Sequence, residues 1–286
     1  MKKTIQTLLA ILAIVGIALT FLTRPGEYAA EKSLYQALRG ANKIVQNPDV
    51  VPPVMFAATE NDLKNVVTKY PATNTAKVAQ MALAKFYVVT KKFDKAFETL
   101  DAIINVPDQN AMLSSEARFI TGNIYESRSQ WPQALAEYIV VRDSDTITPV
   151  GLQMPLYIAN YYRKNGDLTQ ANSAFNEAVT YYRALSRKHA KTEIGYVSSN
   201  FLSQSYVNLK KYEEAGVVIE DTIDTYPSMY TYRQQLPAME LIYAQVLKNP
   251  RKAIAVYKKV LEKTKDARLA KLMQARIDLL QKALGS

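Results

Sequence analysis

The stretch GNIYESRSQWPQALAEYIV, residues 122–140, carries a spacing of aromatic and small residues that recurs along the chain. In this stretch Tyr125, Ala134 and Tyr138 define the pattern Tyr-x8-Ala-x3, followed by a large apolar residue. The other copies are Tyr87/Ala96/Leu100, Tyr162/Ala171/Phe175 and Tyr206/Ala215/Ile219, and Ala244/Ala253/Tyr257 keeps the frame without the first aromatic. The alanines lie 38, 37, 44 and 38 residues apart, which indicates stacked supersecondary units.

Each copy is predicted to be two helices joined by a short turn. An alanine on the second helix lets the backbone of the first helix approach closely, and the tyrosine on the first helix fills the space beside it. The predicted units span 75–108, 113–147, 150–190, 193–227 and 232–265. The long third unit predicts one extended second helix over about 168–190. A capping helix follows over 266–284, with Leu269, Leu272, Met273, Ile277 and Leu280 predicted to face inward.

A degenerate repeat is predicted ahead of the array. Residues 27–46 have the apolar spacing of an amphipathic helix, and the proline-rich run 47–53 ends it. A second helix is expected over 54–69, with Thr59 in the place of the repeat alanine. The predicted domains are therefore an anchor or signal sequence at 1–26, the degenerate repeat at 27–71, the array at 72–265 and the cap at 266–286.

The N-terminus carries 20 uncharged, mostly apolar residues at 4–23, preceded by Lys2 and Lys3 and followed by Arg24-Pro25-Gly26. A helix of that length spans about 30 Å, the thickness of a bilayer core. The stretch is long for a signal peptide and lacks a small-x-small cleavage site. We therefore expect an uncleaved single-pass anchor in the cytoplasmic (inner) membrane, with residues 27–286 outside the cytoplasm. The alternative is a secreted or periplasmic protein produced by signal cleavage.

Composition excludes several kinds of chemistry. The chain has no cysteine, so thiolate metal sites and cysteine nucleophiles cannot form. His189 is the only histidine and is expected at an exposed basic helix end. The carboxylate pairs Glu213-Glu214, Glu220-Asp221 and Asp143/Asp145 are expected on solvated surfaces rather than in a pocket. We therefore expect no catalytic residues, no metal site and no cofactor, and the chain is not expected to be an enzyme.

The net charge of +10 is concentrated at the chain ends. Residues 1–26 carry +3 and residues 248–286 carry +8, which leaves −1 for the middle of the chain. A nucleic-acid groove would spread positive charge along one face, so no nucleic-acid partner is expected. The basic C-terminal region could instead meet an anionic lipid or an acidic partner, or serve only as a solvated cap.

The repeat pattern resembles that of the tetratricopeptide repeat (TPR), and this resemblance implies a binding groove lined by the first helix of each repeat. Amide side chains there could donate to and accept from the backbone of an extended peptide. The alternative is that they are merely polar and face solvent. The candidate groove residues are Lys85, Asn123, Asn160, Arg163, Asn200, Gln204 and Asn208.

The TPR resemblance covers about residues 75–265. Gly122, Ala84 and Ala159 match the family's small positions, and Pro227 matches its closing proline. The resemblance implies an all-α, right-handed α-solenoid of helix–turn–helix repeats, here with an N-terminal transmembrane helix. The apolar N-terminus, the Tyr-Gln-Ala-Leu helix and the Lys-Tyr-Pro turn are also similar to membrane-anchored periplasmic TPR proteins, the ancillary subunits of the SecYEG secretion translocon.

These features predict a membrane-tethered scaffold or assembly factor of the cell envelope that binds a protein or peptide partner, with a link to secretion or membrane-protein biogenesis. Two other classes stay open. One is an enzyme or lipid-handling protein that uses the groove as a pocket, and the other is a self-assembling structural protein.

Overall fold

The computed structural model describes residues 26–46, 50–106 and 110–285. These residues form helices and no strand. The helices are α1 (Glu27–Gln46), α2 (Pro53–Lys69), α3 (Asn74–Val89), α4 (Phe93–Ile104), α5 (Ala111–Ser127), α6 (Trp131–Ser144), α7 (Pro149–Lys164), α8 (Leu168–Lys188), α9 (Glu193–Asn208), α10 (Tyr212–Thr225), α11 (Met229–Glu240), a π-helical segment (Leu241–Val246), α12 (Pro250–Lys263) and α13 (Ala267–Gly285). The all-α fold class and the helix-pair repeats are therefore confirmed.

The chain divides into two compact units, one up to Val150 and the other from Gly151 onward. In the first unit, α1 packs on α2, α3 on α4 and α5 on α6, and the first helices α1, α3 and α5 also contact each other in sequence. In the second unit, each helix from α8 to α13 packs on the next one along the chain. Within each unit, helices that are neighbours in sequence are therefore neighbours in space.

The turn inside each repeat has one fixed geometry. Five residues before the repeat alanine, the backbone enters the left-handed region, at Lys91, Ser129, Gly166, Lys210 and Lys248. In the first four repeats the next residue donates its N–H to the carbonyl of the repeat tyrosine, as Lys92 does to Tyr87 at 2.8 Å. This bond caps the first helix, and the chain turns back at the same point in these four repeats.

The last repeat departs from this register by one residue. Asn249 donates its N–H to the carbonyl of Tyr243 at 2.7 Å, one residue further along than in the other repeats. The extra residue is accommodated in the π-helical segment Leu241–Val246. The prediction that Ala244 replaces the first aromatic is therefore wrong. Tyr243 is fully buried and takes the role of the repeat tyrosine.

The repeat residues form the core. All five repeat alanines are buried, and so are the large residues four positions later. A Cβ at Gly122 would lie 2.3 Å from Cε1 of Tyr138, so the glycine lets that ring lie against the backbone of α5. In the degenerate repeat, a Cβ at Gly40 would lie 2.6 Å from Oγ1 of Thr59. Thr59 therefore marks the close approach of α1 and α2, as the alanines do elsewhere.

Two other expectations concern the ends of the chain. Leu269, Met273, Ile277 and Leu280 of α13 are buried as expected, but Leu272 is 60% exposed and does not face inward. Among the residues that the structure describes, no helix is long and apolar enough to cross a membrane. The anchor predicted at residues 4–23 lies outside the described residues.

Candidate functional site

Three of the predicted groove residues form one cluster in the second unit. Arg163 of α7 donates from Nη2 to Oδ1 of Asn160 at 2.6 Å and from Nη1 to Oδ1 of Asn208 on α9. The guanidinium lies over the buried ring of Phe175, 5.4 Å from its centroid. A cation held over an aromatic ring and bonded to two amides is fixed in direction. Its remaining N–H groups can serve a partner, because a guanidinium carries five donors.

Asn200 and Gln204 lie on α9 in the same unit. Oδ1 of Asn200 accepts from Nε2 of Gln235 on α11 at 2.7 Å, and Gln204 is exposed. Asn200 also lines an open pocket of about 630 Å³ between α9 and α11.

Three tyrosines line that pocket. The ring centroid of Tyr196 lies 5.4 Å from that of Tyr226 and 5.9 Å from that of Tyr230. Tyr230 is 65% exposed. Tyrosine offers a large apolar surface together with a hydrogen-bonding hydroxyl, so such clusters suit peptide contacts. The aromatic cluster was not predicted, although Tyr226 and Tyr230 flank the closing Pro227 in the sequence.

The two candidates in the first unit have partners within the chain. Lys85 of α3 pairs with Glu116 of α5, with Nζ and Oε1 2.6 Å apart. Oδ1 of Asn123 accepts from the hydroxyl of buried Tyr138 at 2.7 Å. Asn123 was expected in the groove, but its amide oxygen contacts Tyr138, one of the packing residues. The structure thus brings five of the seven candidates together on α7 and α9 and leaves Lys85 and Asn123 in a separate unit.

A second pocket, of about 540 Å³, lies between α11 and α13 and was not predicted. Its floor holds Glu240, which accepts from Arg276 Nε at 3.0 Å and from the Tyr257 hydroxyl at 2.6 Å. Burial raises the pKa of Glu240, but the bonds from Arg276 and Tyr257 outweigh it, and the net pKa lies below the usual range. The carboxylate therefore stays charged and paired. Sequence reasoning missed this pocket because the π-helical segment adds one residue between the repeat tyrosine and the repeat alanine.

Several observations in the described part of the chain bear on acid–base and metal chemistry. There, no cluster of His, Asp and Glu side chains could hold a metal ion. Glu213, Glu214 and Asp221 line an open cleft between α8 and α10 but are exposed. Partial desolvation of its carboxyl and the neighbouring carboxylates of Glu220 and Asp224 raise the pKa of Asp221. The helix end at His189 is exposed at Arg187 and Lys188 as expected, but His189 itself is half-buried and its Nε2 is buried without a hydrogen-bond partner.

The described residues thus form a helix-pair repeat protein with polar and aromatic side chains on its first helices. No known family's sequence profile matches the chain, and no curated protein matches it. Among solved structures, BtubC (BKLC) from P. vanneervenii is 14% identical with a TM-score of 0.38, covering 90% of this chain and 93% of that one. A tetratricopeptide repeat protein from Parabacteroides merdae is 14% identical with a TM-score of 0.37, covering 88% of each chain. Scores of this size describe a loose likeness only.

Proposed function

We propose that this chain is a TPR-like scaffold that binds a peptide segment of a partner protein along α7, α9 and α11. The observation that carries the proposal is the side-chain set on these first helices. A fixed Arg163, the amides of Asn160, Asn200 and Asn208, and the tyrosine-lined pocket provide donors, acceptors and apolar surface in one unit. An extended peptide needs both kinds of hydrogen-bonding group for its backbone. The repeat spacing and the identical turns support the TPR-like assignment.

A photocrosslinking amino acid at Gln204 tests the proposal in cells that express the full chain. We expect discrete adducts at Gln204 and none at Val217, an exposed position on α10. Charge reversal in the variant Arg163→Glu should reduce the adducts by about tenfold, because the charge that the partner meets changes sign. Lys282→Glu, at an exposed position on α13, is the matched charge control and should have little effect. Equal adducts at both positions, or adducts insensitive to Arg163→Glu, would contradict the proposal.

We further propose that residues 4–23 tether this scaffold to the cytoplasmic membrane, with the repeats on the outer side, in a secretion or assembly complex of the envelope. Support comes from the uncharged 20-residue stretch and from Lys2 and Lys3 ahead of it. Mass analysis of the N-terminus of membrane-extracted protein tests the tether. A mature chain that begins beyond Arg24 would mean that residues 4–23 belong to a cleaved signal sequence and are not a tether.

A further inference from the structure

One groove position changes character at the end of the array. Two residues before the repeat tyrosine, the first helices carry Lys85, Asn123, Asn160 and Gln204. In the last repeat, Tyr243 is the repeat tyrosine and the equivalent residue is Leu241, which is 50% exposed. A large aliphatic side chain thus occupies the position that is polar in the four preceding repeats. Half of that side chain is left in water, so the surface there suits an apolar group of a partner.

Leu241 lies on the rim of the pocket of about 540 Å³ between α11 and α13, called here the end pocket. Leu272 of α13 lines the same pocket and is also more than half exposed. Leu236 and Met273 line it from buried positions. Two exposed leucines with buried apolar side chains behind them form a slot that one apolar side chain could fill. The π-helical segment contributes to this slot, because it holds Leu241 and Gln245 on the pocket wall.

The charges around the end pocket favour an acidic ligand. Glu240 on its floor is already paired with Arg276 and Tyr257. Arg233, which also lines the pocket, forms no ion pair among the described residues. Residues 248–286, which include α12 and α13, hold 11 Lys and Arg against 3 Asp and Glu. An acidic group near Arg233 would therefore meet an unpaired cation in a positive field.

We propose that the end pocket binds a short amphipathic acidic segment of a partner protein, with an apolar side chain between Leu241 and Leu272 and a carboxylate on Arg233. The proposal rests on the proposed scaffold function and names a second contact region of the same unit. It also gives the basic C-terminal region a role, since α13, which lines the pocket, belongs to that region.

The test uses the full chain in nanodiscs of neutral phosphatidylcholine and a synthetic twelve-residue helical peptide. The peptide carries two leucines one turn apart, one of them replaced by photo-leucine, among glutamates. A matched peptide has lysines in place of the glutamates. We expect the acidic peptide to crosslink to end-pocket residues at least about tenfold more than the basic one, because Arg233 selects the charge.

Two pairs of variants separate the pocket from general surface effects. Leu272→Asp should lower crosslinking of the acidic peptide by about tenfold, whereas Leu279→Asp should not, although Leu279 is on the same helix and 54% exposed. Arg233→Glu should reverse the preference between the two peptides, and Lys282→Glu should leave it unchanged. All four residues have exposed or rim positions, so the variants should fold.

Several outcomes would overturn the proposal. Equal labelling by both peptides, no labelling, or labelling insensitive to Leu272→Asp each rule out the acidic segment. A dimer in sedimentation that Leu272→Asp dissolves would make a second copy of this chain the occupant. Peptide crosslinks on α9 alone would exclude the end pocket as the binding site but would be consistent with the scaffold function. The Gln204 adducts test that function independently, so the two failures are distinguishable.

Discussion

Two repeat tyrosines, Tyr87 in the first unit and Tyr243 in the second, have similar surroundings built from different residues. Each hydroxyl donates to a carboxylate on the preceding second helix, Glu60 or Glu220. Each ring has a lysine one residue before the repeat alanine over its face, Lys95 at 5.6 Å or Lys252 at 4.2 Å. Each lysine also approaches the carboxylate, at 3.1 Å and 3.7 Å.

The difference lies at one position of the preceding helix, directly after Thr59 or Ala215. In the first unit this position is Glu60 itself. In the second unit it is Gly216, on which the Tyr243 ring lies, and the carboxylate comes from Glu220 one turn later. Glu60 is 10% exposed and accepts from Lys64, Lys92 and Lys95 as well as from Tyr87. Glu220 is 28% exposed. Tyr87 is therefore bonded to the more buried and more fully paired carboxylate, whereas Tyr243 lies directly on a glycine of the preceding helix.

The largest effect is expected from disrupting the close packing of the Tyr243 ring on Gly216. A Cβ at Gly216 would lie 2.5 Å from the Tyr243 ring, so Gly216→Val must displace the ring or the helix. We expect a loss of about 3 kcal/mol of unfolding free energy in chemical denaturation. Glu214→Val places the same side chain on the exposed part of α10 and should cost less than about 1 kcal/mol. Equal costs for the two variants would show that the close packing of Tyr243 on Gly216 does not stabilise the fold.

A smaller loss is expected from removing the buried charge. Glu60→Gln leaves three lysines around a neutral amide, and we expect a cost of about 2 kcal/mol. Glu220→Gln is the matched variant at the more exposed carboxylate and should cost about 0.5 kcal/mol. Urea denaturation at neutral pH measures both. If the two costs were the same, the distinction between charge and packing would have no energetic basis.

The smallest effect is the pH dependence of the Glu60 contribution. Burial raises the pKa of Glu60, but hydrogen bonds from Lys92, Lys64 and Lys95 outweigh it, and the net pKa is well below the usual range. A carboxyl whose pKa is lower in the folded state contributes stability above its unfolded pKa and loses it as the pH falls. The stability difference between the native chain and Glu60→Gln should therefore shrink as the pH drops from 7 to below the ordinary value of 4.5.

At pH 3 we expect that difference to be smaller by about 1 kcal/mol, as one pKa unit corresponds to about 1.4 kcal/mol. Denaturation of both proteins from pH 7 to pH 3 measures it. A difference that stays constant over this range would mean that Glu60 titrates as it does in the unfolded chain.

The helix pairs could be predicted because their signals are local. The tyrosine–alanine spacing fixes where two helices meet, and prolines mark the start of α2 and α12. The Glu60 cluster could not be predicted, because its lysines at 92 and 95 follow it by a full helix and a turn. Asn123 was placed by its position on α5, but its contact with Tyr138 depends on how α6 packs.

The end pocket was missed for a different physical reason. A residue added inside a helix leaves no glycine or proline to mark it, so the π-helical segment cannot be recognised from residue types. The spacing to Ala253 then points to Ala244 instead of Tyr243. Counted from Ala244, the groove position two residues earlier would be Ile242. Ile242 is buried, however, and Leu241 is the residue on the rim.

In the other repeats, the first helix is aligned in one register with both the preceding repeat and its own second helix. In the last repeat, the π-helical segment separates these two alignments. Residues up to Tyr243 are aligned with α10, since Tyr243 contacts Gly216 and Glu220. Residues from Lys248 onward are aligned with α12, since the left-handed residue again precedes the repeat alanine by five positions. The inserted residue separates these alignments and disturbs neither. In evolutionary terms, a repeat can thus gain a residue in one step, with its docking face and its hairpin both intact.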